Sequence, residues 1–259
     1  MGRNVIIKVQ SLTKVFEKGK KQVVAIQNLD FDVFENEFFC IIGPNGCGKT
    51  TLLRIFAGLE KPSSGKVLLN GGEINGPDAN RSMVFQEFAL FPWRSVKKNI
   101  EFGLEVKGLQ EEEKKDIIGH LVSLVNLKGF EGSHPQELSS GMKQRVAIAR
   151  ALAHDPRLLL MDEPFGSLDA QTRNIMQKEL LRIWDKTKKT IIFVTHSADE
   201  AVFLADRIAV LTSRPGSLKT IFEVKIPHTR DRTSVELIKI RGKILEELEE
   251  EVEKSLYSP

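Results

Sequence analysis

Cysteine is nearly absent: only Cys40 and Cys47 among 259 residues. They lack C-x-x-C spacing and have no histidine cluster beside them, which excludes a disulfide scaffold or cysteine–histidine zinc site and leaves two reduced thiols. Long apolar runs are missing as well. The longest, such as FFCII and IIFV, fall far short of the roughly 20 residues that a membrane-spanning helix needs. Charge of one sign is lacking too, because 38 basic and 35 acidic residues leave a formal +3. That near balance is not the footprint of a dedicated nucleic-acid binder, so no nucleic-acid partner is expected. The opening residues MGRNVIIKVQS carry no apolar signal region. Gly2 is followed by Ile6 where N-myristoylation requires Ser or Thr, so a cytoplasmic protein is expected. There is no internal repeat and no low-complexity segment.

What is present is a globular composition, 41% hydrophobic and 28% charged, in a chain long enough for one large domain or two small ones. In NLDFDVF, Leu29, Phe31 and Val33 alternate with Asn28, Asp30 and Asp32, the period of a half-buried antiparallel strand. KVLLNGGEIN reads as a strand entering a Gly-Gly hairpin. By contrast, FFCII, RLLLMD and TIIFVTH are continuous apolar runs, each followed by a helical pattern, as for parallel strands buried on both faces. From Ser95 to Ala153 no strand pattern appears, while EEEKKDIIGHLVSLV and GMKQRVAIARALA carry apolar residues at helical spacing, so a helical insert is expected. After a last hairpin in SRPGSLKTIFEVK, Leu237, Ile240, Ile244, Leu248 and Val252 lie three or four apart along a charged helix, expected to close the domain by packing, with partner binding as the alternative.

The stretch GPNGCGKT, Gly43 to Thr50, fits G-x-x-x-x-G-K-[ST] between a buried strand and a helix. Glycines let successive backbone N–H groups point inward, and the helix that follows adds its unpaired donors and positive dipole end. Lys49 can reach the β- and γ-phosphates and the Thr50 hydroxyl can coordinate Mg²⁺, so the loop is a triphosphate cradle. RLLLMDEP ends an apolar strand in Asp162 and Glu163, at the strand end where open α/β sheets bind ligands. Asp162 is suited to the Mg²⁺ shell, and Glu163 to polarising an attacking water. In LSSGMKQR, Ser139 or Ser140 can cap a helix whose N-terminus forms a second anion site.

These segments together closely resemble the nucleotide-binding subunits of ATP-binding cassette (ABC) transporters, over nearly the whole chain and in order. Walker A spans Gly43 to Thr51, the Q-loop glutamine is Gln86, the signature runs from Leu138 to Met142, and Walker B from Leu158 to Glu163. Asp169 in GSLDA lies in the D-loop, and His196 in FVTHS is the switch histidine.

The resemblance implies an α/β P-loop NTPase (RecA-like) core with a mainly parallel sheet, an antiparallel β subdomain and an α-helical subdomain. The expected division is residues 1–86 and 156–215 for the core and its β subdomain, 87–155 for the helical part, and 216–259 for the C-terminal strand and helix. It implies ATP and Mg²⁺ as cofactors, with Thr50, Gln86 and Asp162 at the metal. It further implies an adenine stack on Phe16 and phosphate binding through Gly43, Asn45, Gly46, Cys47, Gly48, Lys49, Thr50 and Thr51. Ser139 and Gly141 would hold the γ-phosphate of the opposite subunit's nucleotide, and Glu163, His196 and Gln86 would serve catalysis. The partners implied are a second copy of the chain, membrane permease subunits and, indirectly, an external solute-binding protein. The expected location is the inner face of the cell membrane.

Two features narrow the resemblance. Ser140 stands where the usual signature has a first glycine, a change read as tolerated because serine is small and Gly141 remains. FALFPWRSVKKNIEFGLE and the tail LTSRPGSLKTIFEVKIPHTRDR look most like ATPases of bacterial importers for nitrate, sulfonates, taurine and related small organic compounds. Phe91 and Trp93 are expected either to pack within the helical insert or to receive a permease helix. The competing function is a soluble ABC ATPase acting in assembly or repair.

Overall fold

The computed structural model describes residues 3–19, 21–105 and 107–257. They divide into two compact units, Met1–Asp78 with Thr190–Pro259, and Ala79–Lys189.

In the first unit, β1 (Val5–Lys18) and β2 (Lys21–Phe34) form a long antiparallel pair. After β3 (Phe38–Ile42) and α1 (Lys49–Ala57), β4 (Ser64–Leu69) joins the free side of β1 and β5 (Gly72–Glu73) completes the hairpin, giving the order β2-β1-β4-β5. The expected alternation is present in β2: Leu29, Phe31 and Val33 are buried while Asn28 and Asp30 are exposed. Phe31 carries that buried face onto β3, stacking on Phe39 with ring centroids 5.4 Å apart, and meets Phe56 of α1 edge-on at 6.3 Å. Truncating such a core phenylalanine costs about 3–5 kcal/mol.

The second unit begins with β6 (Arg81–Val84), which pairs in parallel with β7 (Leu158–Asp162). Between these strands lie α2 (Val96–Glu105), α3 (Glu111–Leu124), a 3-10 turn at Pro135–Glu137 and α4 (Ser140–Ala153), with no strand among the described residues, in line with the helical spacing of the sequence. α5 (Ala170–Thr187) follows β7. The insert is pinned by Asn99, fully buried on α2. Its Nδ2 donates to the carbonyls of Arg94 (2.8 Å) and Phe91 (3.2 Å), and its Oδ1 accepts from the Phe91 N–H at 2.9 Å.

The chain returns to the first unit with β8 (Thr190–Thr195), α6 (Ala198–Leu204), β9 (Arg207–Leu211), β10 (Leu218–Glu223) and α7 (Val235–Tyr257). β3 lies between β8 and β9, parallel to both, and all five of its residues are buried. β10 closes the expected hairpin on β9. α7 departs from its sequence reading at the C-terminal end. Leu237 and Ile244 are buried as expected, but Glu251 rather than Val252 takes the third inward place, with Val252 exposed. The carboxylate is accepted there because it is paired: Ser213 donates to it from N–H (2.9 Å) and Oγ (3.3 Å), and Lys254 Nζ lies 2.7 Å away. No helix among the described residues is long and apolar enough to cross a membrane.

Candidate active site

The loop from Gly43 to Gly48 leaves the C-terminal end of β3 and turns into α1. Gly46 and Gly48 hold φ of 78° and 97°, values that side chains resist. Gly48 is constrained twice over, since a Cβ there would lie 2.8 Å from the Ala25 carbonyl oxygen. α1 has neither a side-chain cap nor an acidic residue in its first turn, so no side chain of that turn competes with an anion for its leading N–H groups. Lys49 is buried, and its Nζ donates to the carbonyls of Gly43 (2.8 Å) and Pro44 (3.0 Å), which ties the ammonium to the start of the loop. Cys47 is buried against Gly43. Burial raises its thiol pKa above the usual 9.0, although the Lys49 charge pulls the other way. Cys40 is buried as well, and both thiols are free, as composition implied.

β8 runs beside β3 with Thr195 opposite Ile42, so His196 and the glycine loop leave adjacent parallel strands at the same end. His196 is exposed. The turn carrying it is held from below by two residues that the sequence reading missed. Thr195 Oγ1 donates to Glu200 Oε2 at 2.5 Å and accepts from the Ser197 N–H at 3.0 Å, while Ser197 Oγ caps α6 by accepting from the Glu200 N–H. Only their short spacing, T-H-S-x-x-E, could have signalled this.

Phe16 is 38% exposed on β1. It stands opposite Val23, two residues from the Ala25 that Gly48 meets. Lys14 Nζ sits 4.8 Å from its ring centre, anchored by Glu60 at 2.7 Å. That exposure suits a stacking surface.

In the second unit, Val84 lies opposite Met161, so Gln86 and the Asp162–Glu163 pair also leave neighbouring parallel strands together. Asp162 is buried and Glu163 half-buried. Glu163 has a φ of 43°, a strained left-handed conformation. Gly166 closes the turn by donating to the Glu163 carbonyl at 3.0 Å, and a Cβ at Gly166 would lie 3.8 Å from Gln86 Nε2. Gln86 is thus brought against the Glu163 turn. Ser139 is the N-cap of α4, accepting from the Met142 N–H at 3.3 Å. Ser140 is the exposed first helical residue, while Gly141 is buried with Thr172 Cγ2 only 3.0 Å from where a Cβ would stand. Asp169 caps α5, accepting from Gln171 and Thr172, and those N–H groups lower its pKa.

The aromatic segment after Gln86 holds one packed and one exposed ring. Phe91 packs within the insert, 4.7 Å from the Phe102 ring, while Trp93 is 72% exposed. Arg150 of α4 secures the segment by donating to the carbonyls of Ala89 (2.6 Å) and Phe88 (3.1 Å).

Residues 26–166 match the family described as ABC transporter. An uncharacterized ABC transporter ATP-binding protein of Methanocaldococcus jannaschii is 56% identical over 252 residues, covering 97% of this chain and 94% of its own. The aliphatic sulfonates import ATP-binding protein SsuB of Bacillus cereus is 43% identical, covering 94% of this chain and 96% of its own. The nitrate import ATP-binding protein NrtD of Synechocystis is also 43% identical, covering 91% and 88%. A solved ATP-binding cassette, described as a dimeric post-hydrolysis state bound to ADP and Pi, aligns with a TM-score of 0.75 at 30% identity, covering 85% of this chain and all of that one.

The chain belongs to the ABC transporter family and is one of its ATP-binding, ATP-hydrolysing cassettes. Its α/β fold is the P-loop NTPase fold of those cassettes.

Proposed function

We propose that the chain is the ATPase subunit of an importer for a small anionic or sulfonated solute, of the kind served by its sulfonate and nitrate relatives. The observation that carries the nucleotide chemistry is the alignment of Ile42 with Thr195, which puts the Lys49 loop and His196 at one end of the β3–β8 pair. The backbone N–H groups of Gly43, Asn45, Gly46, Cys47 and Gly48, with Thr50 and Thr51 at the start of α1, bind the phosphates. Lys49 neutralises the β- and γ-oxygens and Phe16 stacks on the base.

The oxygen donors fit Mg²⁺. Asp162 is a buried carboxylate and Thr50 a hydroxyl, and no cluster of three or more His, Cys, Asp or Glu among the described residues could enclose a metal by itself. Such a sparse protein set suits an ion that keeps its waters and shares substrate phosphates. Thr50, Asp162 and Gln86 would hold it, and when bound it neutralises charge developing on the phosphates. Glu163 accepts a proton from the attacking water, Gln86 orients that water, and His196 contacts the γ-phosphate.

Ser139 and Gly141 bind the γ-phosphate in the opposing copy, so the working unit is a head-to-tail dimer. ATP closes it and loss of the γ-phosphate opens it. The exposed Trp93 and the neighbouring groove of about 700 Å³, lined by Gln86, Leu90, Pro92, Gln136 and Lys143, receive a permease helix. The chain therefore works at the inner face of the membrane, with an external solute-binding protein delivering the solute to the permease. Mg-ATP should convert Glu163→Gln protein from monomer to dimer in sedimentation and retain a multi-span permease when the tagged protein is recovered from host membranes. A monomer under saturating ATP, or recovery of soluble partners alone, would overturn this reading.

A further inference from the structure

The turn between β9 and β10, residues 212–217, is not part of any motif that reads as nucleotide-binding, yet it is built against the phosphate loop. Gly216 forms a two-way backbone bridge with β2: its N–H donates to the Ala25 carbonyl and its carbonyl accepts from the Gln27 N–H, both at 3.0 Å. A Cβ at Gly216 would stand 2.0 Å from the Cys47 carbonyl oxygen, so only glycine lets the turn lie so close beneath the loop. Ser217 Oγ adds a bond to the Gln27 carbonyl at 2.8 Å. Arg214 reaches the loop itself. Its Nε donates to the Gly46 carbonyl at 3.3 Å, and its Nη2 lies 3.1 Å from where a Gly46 Cβ would be.

The same turn is gripped from its other side by the C-terminal helix. Ser213 gives both its N–H and its hydroxyl to Glu251, which is 1% exposed. Lys219, on the strand after the turn, lies within 2.7 to 3.2 Å of the carboxylates of Glu247, Glu250 and Glu251. A buried, multiply bonded carboxylate fixes Ser213, and Ser213 precedes Arg214 directly. The order of mechanical contact is α7, Ser213, Arg214 and Gly216, then Gly46 and Cys47.

We propose that Arg214 is a positioning residue that holds the phosphate loop in its binding shape, and that the C-terminal helix sets nucleotide affinity through Glu251. A hydrogen bond to the Gly46 carbonyl fixes the peptide orientation on which the loop's inward N–H groups depend, and a guanidinium beside the loop adds positive potential near the phosphates. The proposal rests on the reading of the loop as the ATP cradle.

The test is titration with a fluorescent ATP analogue, together with steady-state kinetics, on full-length variants. Arg214→Ala should raise Kd and KM about fivefold, the worth of one net hydrogen bond, with kcat at saturating ATP unchanged. Arg214→Lys should recover part of the loss. Glu251→Gln should shift Kd in the same direction, and the double variant should be no worse than the worse single one, because the two act in series. Unchanged Kd in Arg214→Ala, or a fall in kcat alone, would overturn the positioning role. Full additivity of the two would overturn the coupling to α7. Should Glu251→Gln fail to fold, Gly216→Ala replaces it: it presses on Cys47 from the same turn and is expected to raise Kd, and normal affinity there would refute the proposal. Lys49→Ala separates this proposal from the reading beneath it. If Lys49→Ala leaves affinity intact the cradle itself is wrong, whereas loss in Lys49→Ala with none in Arg214→Ala refutes only the present inference.

Discussion

Thr195 and Glu200 share a 2.5 Å hydrogen bond between buried side chains that flank His196 in sequence. The exposed imidazole is therefore carried on a braced strand end.

Glu200→Ala removes the acceptor and leaves the Thr195 hydroxyl buried without it. Stability should fall by about 1–3 kcal/mol in urea unfolding, the usual cost of stranding a buried polar group. Turnover should fall more than ATP affinity, because His196 loses its position while the phosphate loop keeps its own. Glu200→Gln, which retains an acceptor, should recover most of both.

Glu163→Gln should bind ATP normally and lose about 10²- to 10⁴-fold in kcat, the range for general-base help. Steady-state phosphate release and equilibrium ATP binding, measured on the same preparation, check this. Near-normal hydrolysis would remove Glu163 as the base.

Cys47 should react slowly. A thiol attacks as its thiolate, and burial holds this one protonated above its usual 9.0, so alkylation at neutral pH should lag a free thiol and accelerate only as pH climbs beyond that value. Once attached, the adduct should abolish turnover, since the sulfur lies only 2.8 Å from where a Gly43 Cβ would stand. ATP should protect. Mass-spectrometric labelling rates with and without nucleotide provide the readout.

Glu251 predicts a pH effect. Burial would raise its pKa, but hydrogen bonds from Lys254, the Ser213 N–H and Lys219 outweigh it and bring the value from 4.5 down to about 2. A carboxylate with a depressed folded-state pKa contributes stability that is complete above the unfolded value and is lost as pH falls through the folded one. Wild-type protein should therefore lose stability between about 4.5 and 2 by more than Glu251→Gln does. Thermal melts of both proteins across that window check the difference.

The legible part of this protein is the part written in consecutive residues. The G-x-x-x-x-G-K-T loop is local because a phosphate nest is made by neighbouring backbone N–H groups, so its residue types must adjoin. Asp162 and Glu163 were readable for the same reason, as were the alternation of β2 and the helical spacing of the insert. A cap at Ser139 or Ser140 was readable, the structure gives it to Ser139, and Asp169 has a capping role of the same local kind.

What tertiary structure alone decided are the contacts between residues far apart in the chain. The Arg214 and Gly216 turn lies 168 residues beyond Gly46 yet supports its loop. SRPGS read as a turn within a family-like tail and gave no sign of its contact with the loop, because a glycine's need for space against a distant carbonyl leaves no periodicity. Glu251 displaced Val252 from the buried face of α7 because a carboxylate with several donors around it is no longer costly to bury, and those donors come from Ser213 and Lys219 on other elements. Arg150 likewise holds the segment after Gln86 through bonds to the backbone of Ala89 and Phe88, 61 and 62 residues away. The sequence by itself determined which chemistry the chain can perform, since the candidate catalytic groups each stand at a strand end that an apolar run announces. Only the folded structure decided what holds those groups still, because support comes from long-range packing that local pattern does not encode.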